Sequence, residues 1–340
     1  YVTSKIKYGS VSGKNNAYIG GVLGRGVFVH NTTDVLSISN CNVLDGSYIT
    51  HSDDYTTSNS SATLTQGGIV GAINVGSSNS LNLTNSSIIN CTVTNLTIET
   101  DGYAGGIIGL GYSSDSCGIM TISGCKVSGL TLNQANPNTS TSTQYLLSGG
   151  ITPIMIASTI SDCTVENFTV NYNVKYVTSS MQTLVGGIVA ICKGSTAADA
   201  NISDCISNAV FNIGSIGNNR NPVYVGGIVG NTSNATSKAI NINKCMSVID
   251  FNPIGSTTDG NVIVGGIVGE TYVTSKTPTV NITNCISSGD IDVAYPNPTT
   301  TQSSVGGIVG LIDTLATCAV SNNVSTVSIN GNLQDCLGGL

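Results

Sequence analysis

The residues of this 340-residue chain that could do chemistry are few, and their spacing is regular. Seven of its eleven cysteines, Cys41, Cys91, Cys125, Cys163, Cys205, Cys245 and Cys285, each close the same short phrase, I-x-x-C. Thiols can hold a soft metal, exchange disulfides or attack an electrophile. No such chemistry calls for one cysteine every ~40 residues, which is a repeat period. No C-x-x-C pair is present to bind zinc or run thioredoxin-like exchange. The Gly-Gly doublets are a second candidate, since a glycine-rich loop can cradle a phosphate. None fits G-x-x-x-x-G-K-[ST], and no helical pattern follows to aim a dipole at an anion. His30 and His51 are expected in loops, and nothing marks either as the base of a Ser-His-Asp site. Asp53 and Asp54 adjoin in THSDDYTTSNSS; neighbouring acids point apart, so a solvated loop is expected there. Cleavage of a polysaccharide would need acids clustered on one face, whereas the 18 Asp and Glu are scattered. No catalytic residue, metal or cofactor is therefore assigned, and an enzyme is not expected.

Composition narrows the classes further. Charged residues make up 9% of the chain, far below the ~25% of ordinary domains. Ser and Thr together number 83 and Asn 37, so hydroxyls and amides, rather than ions, solvate the surface. The net charge is −7, and Arg25 and Arg220 are the only arginines. Without a basic patch to neutralise phosphates, nucleic acid is excluded as a partner. A mean hydropathy of +0.22 argues against disorder. No apolar run reaches the ~18 residues of a membrane span.

The elements that carry these residues form a repeat. Doublets of glycine begin at residues 20, 67, 105, 149, 186, 226, 265, 306 and 338, which defines eight units with partial repeats at 1–19 and 338–340. Each unit contains three apolar segments: a GGIVG-like stretch, the I-x-x-C phrase, and an alternating stretch such as NLTI, GLTL or NFTV. Alternation and β-branched content read as strands. Identical three-strand units must stack to share a core. The expected fold is all-β: a parallel β-helix or solenoid of about eight rungs, one repeat per rung, with residues 1–340 as a single array.

The residue before each cysteine, or its eighth-unit counterpart Asn323, is Asn40, Asn90, Gly124, Asp162, Asp204, Lys244, Asn284 or Asn322. Apart from Lys244, these types tolerate a left-handed backbone. Such a bend at Asn40, Asn90, Gly124, Asp162, Asp204, Asn284 and Asn322 would form a corner and turn both Ile and Cys inward. The seven cysteines would then form a ladder in the core, mostly as reduced thiols. Cys117, Cys192, Cys318 and Cys336 fall outside the ladder and are the disulfide candidates. Among the N-x-[ST] sequons, Asn31, Asn59, Asn138, Asn231 and Asn234 are expected in loops, open to N-glycosylation. Ile228 and Val229 are neighbours, so plain alternation puts them on opposite faces. On that reading one side of GGIVG is core and the other an outer apolar stripe covered by a loop or a neighbouring molecule. The chain begins at Tyr1 without Met and ends in LGGL, which reads as a segment of a longer or processed chain.

The GGIVG, GGIIG and GGVLG stretches, followed by I-x-N-C and a strand, resemble the GLUG motif of large repetitive surface and secreted proteins, including bacterial adhesins. The resemblance covers nearly the whole chain. Thr152 and Pro153 depart from it at GGITP, and Ala190 at GGIVA. It implies a right-handed β-helix acting as a stalk or adhesive surface, without catalytic residues. The expected protein is thus an extracellular or cell-surface structural rod: part of a filament, coat or adhesin stalk. Its expected partners are itself, end to end or laterally, or further repeats, with glycans or a host or cell surface as the adhesion target. The alternative is a carbohydrate-binding or polysaccharide-cleaving β-helix.

Overall fold

The computed structural model describes residues 2, 5–8, 17–28, 36–51, 64–75, 86–110, 120–134, 145–175, 182–195, 198–216, 223–233, 238–254, 262–273, 278–293, 303–331 and 336–338. Among these residues there is no helix; the strands form five sheets of 12, 9, 8, 5 and 3 members, and the pairing is parallel. The protein is a parallel β-solenoid. Successive coils place equivalent strands beside one another, so each sheet is a wall running along the rod.

The nine-stranded glycine wall ends each strand on the first glycine of a doublet. Gly20, Gly67, Gly105, Gly149, Gly186, Gly226, Gly265, Gly306 and Gly338 are successive register partners. After a short bend the chain enters the valine wall, made of the three- and five-stranded sheets, for example Val229–Thr232. The eight-stranded isoleucine wall stacks Ile38, Ile88, Ile122, Ile160, Ile202, Ile242, Ile282 and Val320 in register. The twelve-stranded cysteine wall closes the coil.

Between the isoleucine and cysteine walls the backbone turns left-handed. Asn40, Asn90, Gly124, Asp162, Asp204, Lys244, Asn284 and Asn322 have φ between 53° and 60°. A left-handed residue changes which face the next side chain meets, so Ile242 and Cys245 both point inward and both are fully buried. A second left-handed bend at Asn95, Gly129 and Asn167 breaks the cysteine wall. It divides Thr92–Thr94 from Thr97–Thr100 and shifts the register between Val165 and Phe168. The strands Ile206–Ile216 and Met246–Pro253 run on without it.

The core is continuous along the rod and takes side chains from every wall. Each buried Ile, Leu, Val or Phe contributes about 1.5–3 kcal/mol relative to exposure. The phenol of Tyr172, the largest fully buried side chain, is hydrogen-bonded to Ser148 across the core. Outside, asparagines form amide ladders. Asn171 donates to Asn133 (2.9 Å) and Asn212 to Asn171 (2.8 Å) on the cysteine wall. Asn241 donates to Asn201 (2.9 Å) and Asn281 to Asn241 (2.8 Å) on the isoleucine wall. Parallel in-register stacking places like amides one strand spacing apart, the geometry in which each can donate to the last.

Ile228 and Val229 do not face opposite sides. Both are fully buried and both belong to the same core. The bend at Gly227 and Ile228 lies between the strands Val223–Gly226 and Val229–Thr232 and breaks the alternation. The expected outer stripe carried by Val229 is therefore corrected.

Candidate functional site

Two constellations recur in every coil: the cysteine ladder inside and the glycine arch at the bend. In the ladder Cys41 and Cys91 donate to the carbonyls of Ser39 and Ile89 in their own coil, and from Cys125 on each thiol also reaches back one coil. Cys125 Sγ donates to the Ile88 carbonyl at 3.6 Å; Cys163, Cys205, Cys245 and Cys285 reach the carbonyls of Ile122, Ile160, Ile202 and Ile242 at 3.8 Å. In the last coil Asn323 takes the slot. Its amide donates to the Ile282 carbonyl at 2.8 Å and accepts the Cys285 N–H at 2.7 Å. The slot thus holds a small buried donor rather than a reactive sulfur.

Electrostatics hold most of the ladder in the thiol form; the exception is Cys125, which hydrogen bonds with Cys163 and Cys91 lower to about 4. The neighbouring Cys125 thiol, with burial, pushes Cys163 up to about 12. Cys205, Cys245 and Cys285 are raised by the preceding ladder thiol and by burial. A thiol held in its protonated form is a poor nucleophile and a poor metal ligand. Cys91, Cys125, Cys163, Cys205, Cys245 and Cys285 are buried free thiols, and Cys41 is a half-buried one.

The disulfide candidates are corrected in part. Cys192 and Cys318 are free thiols on different walls. Their register partners are Met155 and Thr232 for Cys192 and Val280 for Cys318, so no cysteine stands beside either in its wall. Burial alone pushes Cys192 up to about 12. Cys117 lies outside the described residues, and of Cys336 only the backbone, paired with Ser304, is described.

The arch is the feature that the sequence reading missed. A Cβ on Gly226 would lie 1.8 Å from the Val229 carbonyl oxygen, and one on Gly227 would lie 2.1 Å from that of Gly266. The two glycines let the glycine and valine walls close on each other at an angle too tight for side chains. On the outside of this angle, residues seven apart in sequence belong to a second, smaller core: Leu147 with Ile154, and Leu184 with Ile191. Tyr224, Ile263 and Ala190 extend it. Towards the start of the rod the same spacing brings Arg25 over the Tyr18 ring, 4.7 Å from its centroid. The signal was available as the residues flanking V-G-G-I-V-G, but alternation alone assigns them to solvent.

Asn231 and Glu270 occupy this position in the next two coils. Asn231 is corrected as a glycosylation candidate. It lies in the strand Val229–Thr232, is 6% exposed, and donates its amide to Glu270. Burial first, and then the Asp313 carboxylate one coil on, push the Glu270 carboxyl up to about 7, although the Asn231 hydrogen bond lowers it. The candidates Asn31, Asn59, Asn138 and Asn234 lie outside the described residues, as do His30, Asp53 and Asp54; His51, expected in a loop, instead closes the strand Tyr48–His51.

Among the described residues no group of three or more His, Cys, Asp or Glu could hold a metal ion, and no helix is long and apolar enough to cross a membrane. Comparison with protein-family models, with curated proteins and with solved structures gives no match.

Proposed function

We propose that this chain is a non-catalytic structural protein of the cell surface or extracellular space: a rigid solenoid rod serving in a filament, a coat or an adhesin stalk. The rod comprises about eight coils, roughly 40 Å at ~4.8 Å per strand spacing. The observation that carries this reading is where the chain's chemistry-bearing residues go. Ladder thiols and stacked asparagine amides bond one coil to the one before, and the Tyr172 phenol is tied to Ser148 within the core. The resemblance of GGIVG and I-x-N-C to GLUG repeats points the same way.

The coil of Thr317–Ser321 is less covered than the coil before it. Val320 is 39% exposed, whereas its register partner Ile282 is fully buried. A hollow of about 400 Å³ opens there between Ile308, Val309, Ile312 and Val320. On the cysteine wall Ile206, Met246, Ile286 and Val324 stand in register and exposed, a stripe suited to lateral contact. Electron microscopy of the purified chain tests the reading. Rods joined end to end or in bundles are expected; compact monomers that hydrolyse a polysaccharide would overturn it.

A further inference from the structure

Glu270 is a carboxylic acid at a position where three of the five coils in register carry Ile or Leu. Along the outer position of the arch the register runs Ile154, Ile191, Asn231, Glu270, Leu311. Glu270 is 4% exposed. On one side the Asn231 amide donates to it, and on the other Leu311 offers it nothing. The facing glycine wall supplies Tyr224 and Ile263, both in the small outer core.

The charged and titratable surroundings are one-sided. The strands packed here are Val223–Gly226, Val229–Thr232, Val262–Gly265, Ser304–Gly306 and Val309–Thr314. They carry the Tyr224 phenol and the Asp313 carboxylate, and Glu270's own strand, Val268–Val273, carries Tyr272. None of these strands contains Lys, Arg or His. An ionised Glu270 would therefore be a buried anion with one amide donor and an acidic neighbour, a costly state that water must relieve.

We propose that Glu270 makes this arch a pH-responsive closure: with its carboxyl protonated the strands Val262–Gly265 and Val268–Val273 stay pressed together, and with the carboxylate ionised they part and bare Tyr224 and Ile263. The arch is the natural place to yield. Its outer side is closed only by a small core at the surface of the rod, while Val262, Val264, Val268 and Val273 of the same strands stay anchored in the inner core.

The sign follows from linkage. The carboxyl is pushed from 4.5 to about 7 in the closed arch. The closed form binds the proton more tightly, so opening becomes about tenfold easier for each pH unit across that window and levels off above it.

Hydrogen exchange of the amides of Val268–Val273, in wild type and Glu270→Gln at matched pH, tests this. Matching the pH cancels the intrinsic exchange rate. Wild-type protection relative to Glu270→Gln should fall about tenfold per pH unit from pH ~5.5 to ~7 and then stay constant. Protection in Thr279–Thr283 on the isoleucine wall should not follow. Equal protection in the two proteins at every pH, or a loss shared equally by the isoleucine wall, would overturn the proposal. Should Glu270→Gln not fold, Asp313→Asn carries the test. Removing the neighbouring charge should move the wild-type window to lower pH, and an unmoved window would overturn the proposal.

Discussion

Ile228 and Val229 are consecutive in the chain, yet both side chains are fully buried in one and the same core. In an unbroken strand they would face opposite sides. The bend at Gly227 and Ile228 removes that constraint, and it makes the two positions equivalent in a way that can be measured. Ile228→Asp and Val229→Asp should each destabilise the rod by about 4 kcal/mol or more, since each buries an unpaired carboxylate. Denaturant melts of the two variants check this. A mild effect at Val229 alone would restore the outer-face reading.

The arch predicts a sharp asymmetry among glycines that look alike in sequence. Gly226→Ala places a Cβ 1.8 Å from the Val229 carbonyl oxygen, a backbone clash that cannot relax locally. Gly230→Ala meets its nearest atoms at 2.8 Å, and Ala190 already fills the corresponding slot with a fully buried methyl. The first substitution should abolish cooperative folding of the neighbouring coils. The second should cost about 1–3 kcal/mol, the range of moderate overpacking. Circular dichroism melts of both variants decide.

The all-parallel solenoid was legible because three signals share one period: the doublets, the I-x-x-C phrase and the alternating segment. Stacking identical strands is the arrangement in which such a period buries a common face. Asn, Asp or Gly ahead of each cysteine marks where φ turns positive, and that restriction is visible in the letters. The arch was not legible, because period-two reasoning fails at a bend. It sent Val229 outwards, and it left Tyr224 and Asn231, seven residues apart, without a relationship. For the same reason Asn231 read as a loop sequon, although it is a buried strand residue bound to Glu270. The second left-handed bend was hidden because Asn95 and Asn167 also begin good strand segments.

Lys244 is the corner residue least suited to its backbone, with φ of 54°. A left-handed conformation costs an ordinary L-residue roughly 1–2 kcal/mol, and Asn bears it more easily. Lys244→Asn should therefore stabilise the protein by about 0.5–1 kcal/mol, and Asn284→Val at the equivalent corner should destabilise it. Chemical denaturation midpoints of the pair provide the check.

The ladder thiols should be chemically silent. Cys91, Cys125, Cys163, Cys192, Cys205, Cys245 and Cys285 are buried, and only Cys41 and Cys318 among the described free thiols are partly open. Among these nine, a thiol reagent at pH 8 should modify Cys41 and Cys318 first and the seven buried thiols only on unfolding. Peptide mapping by mass spectrometry reads this out. Rapid labelling of Cys205 or Cys245 in the folded protein would contradict the slot described for them.

The central claim is that this chain is a rod whose strands lie across its long axis and whose coils follow one another along it. Diffraction from aligned particles or bundles measures that relation directly. The account predicts a reflection at ~4.8 Å parallel to the long axis, from the spacing of hydrogen-bonded strands. A ~4.8 Å reflection perpendicular to that axis, or particles with no long axis, would contradict it.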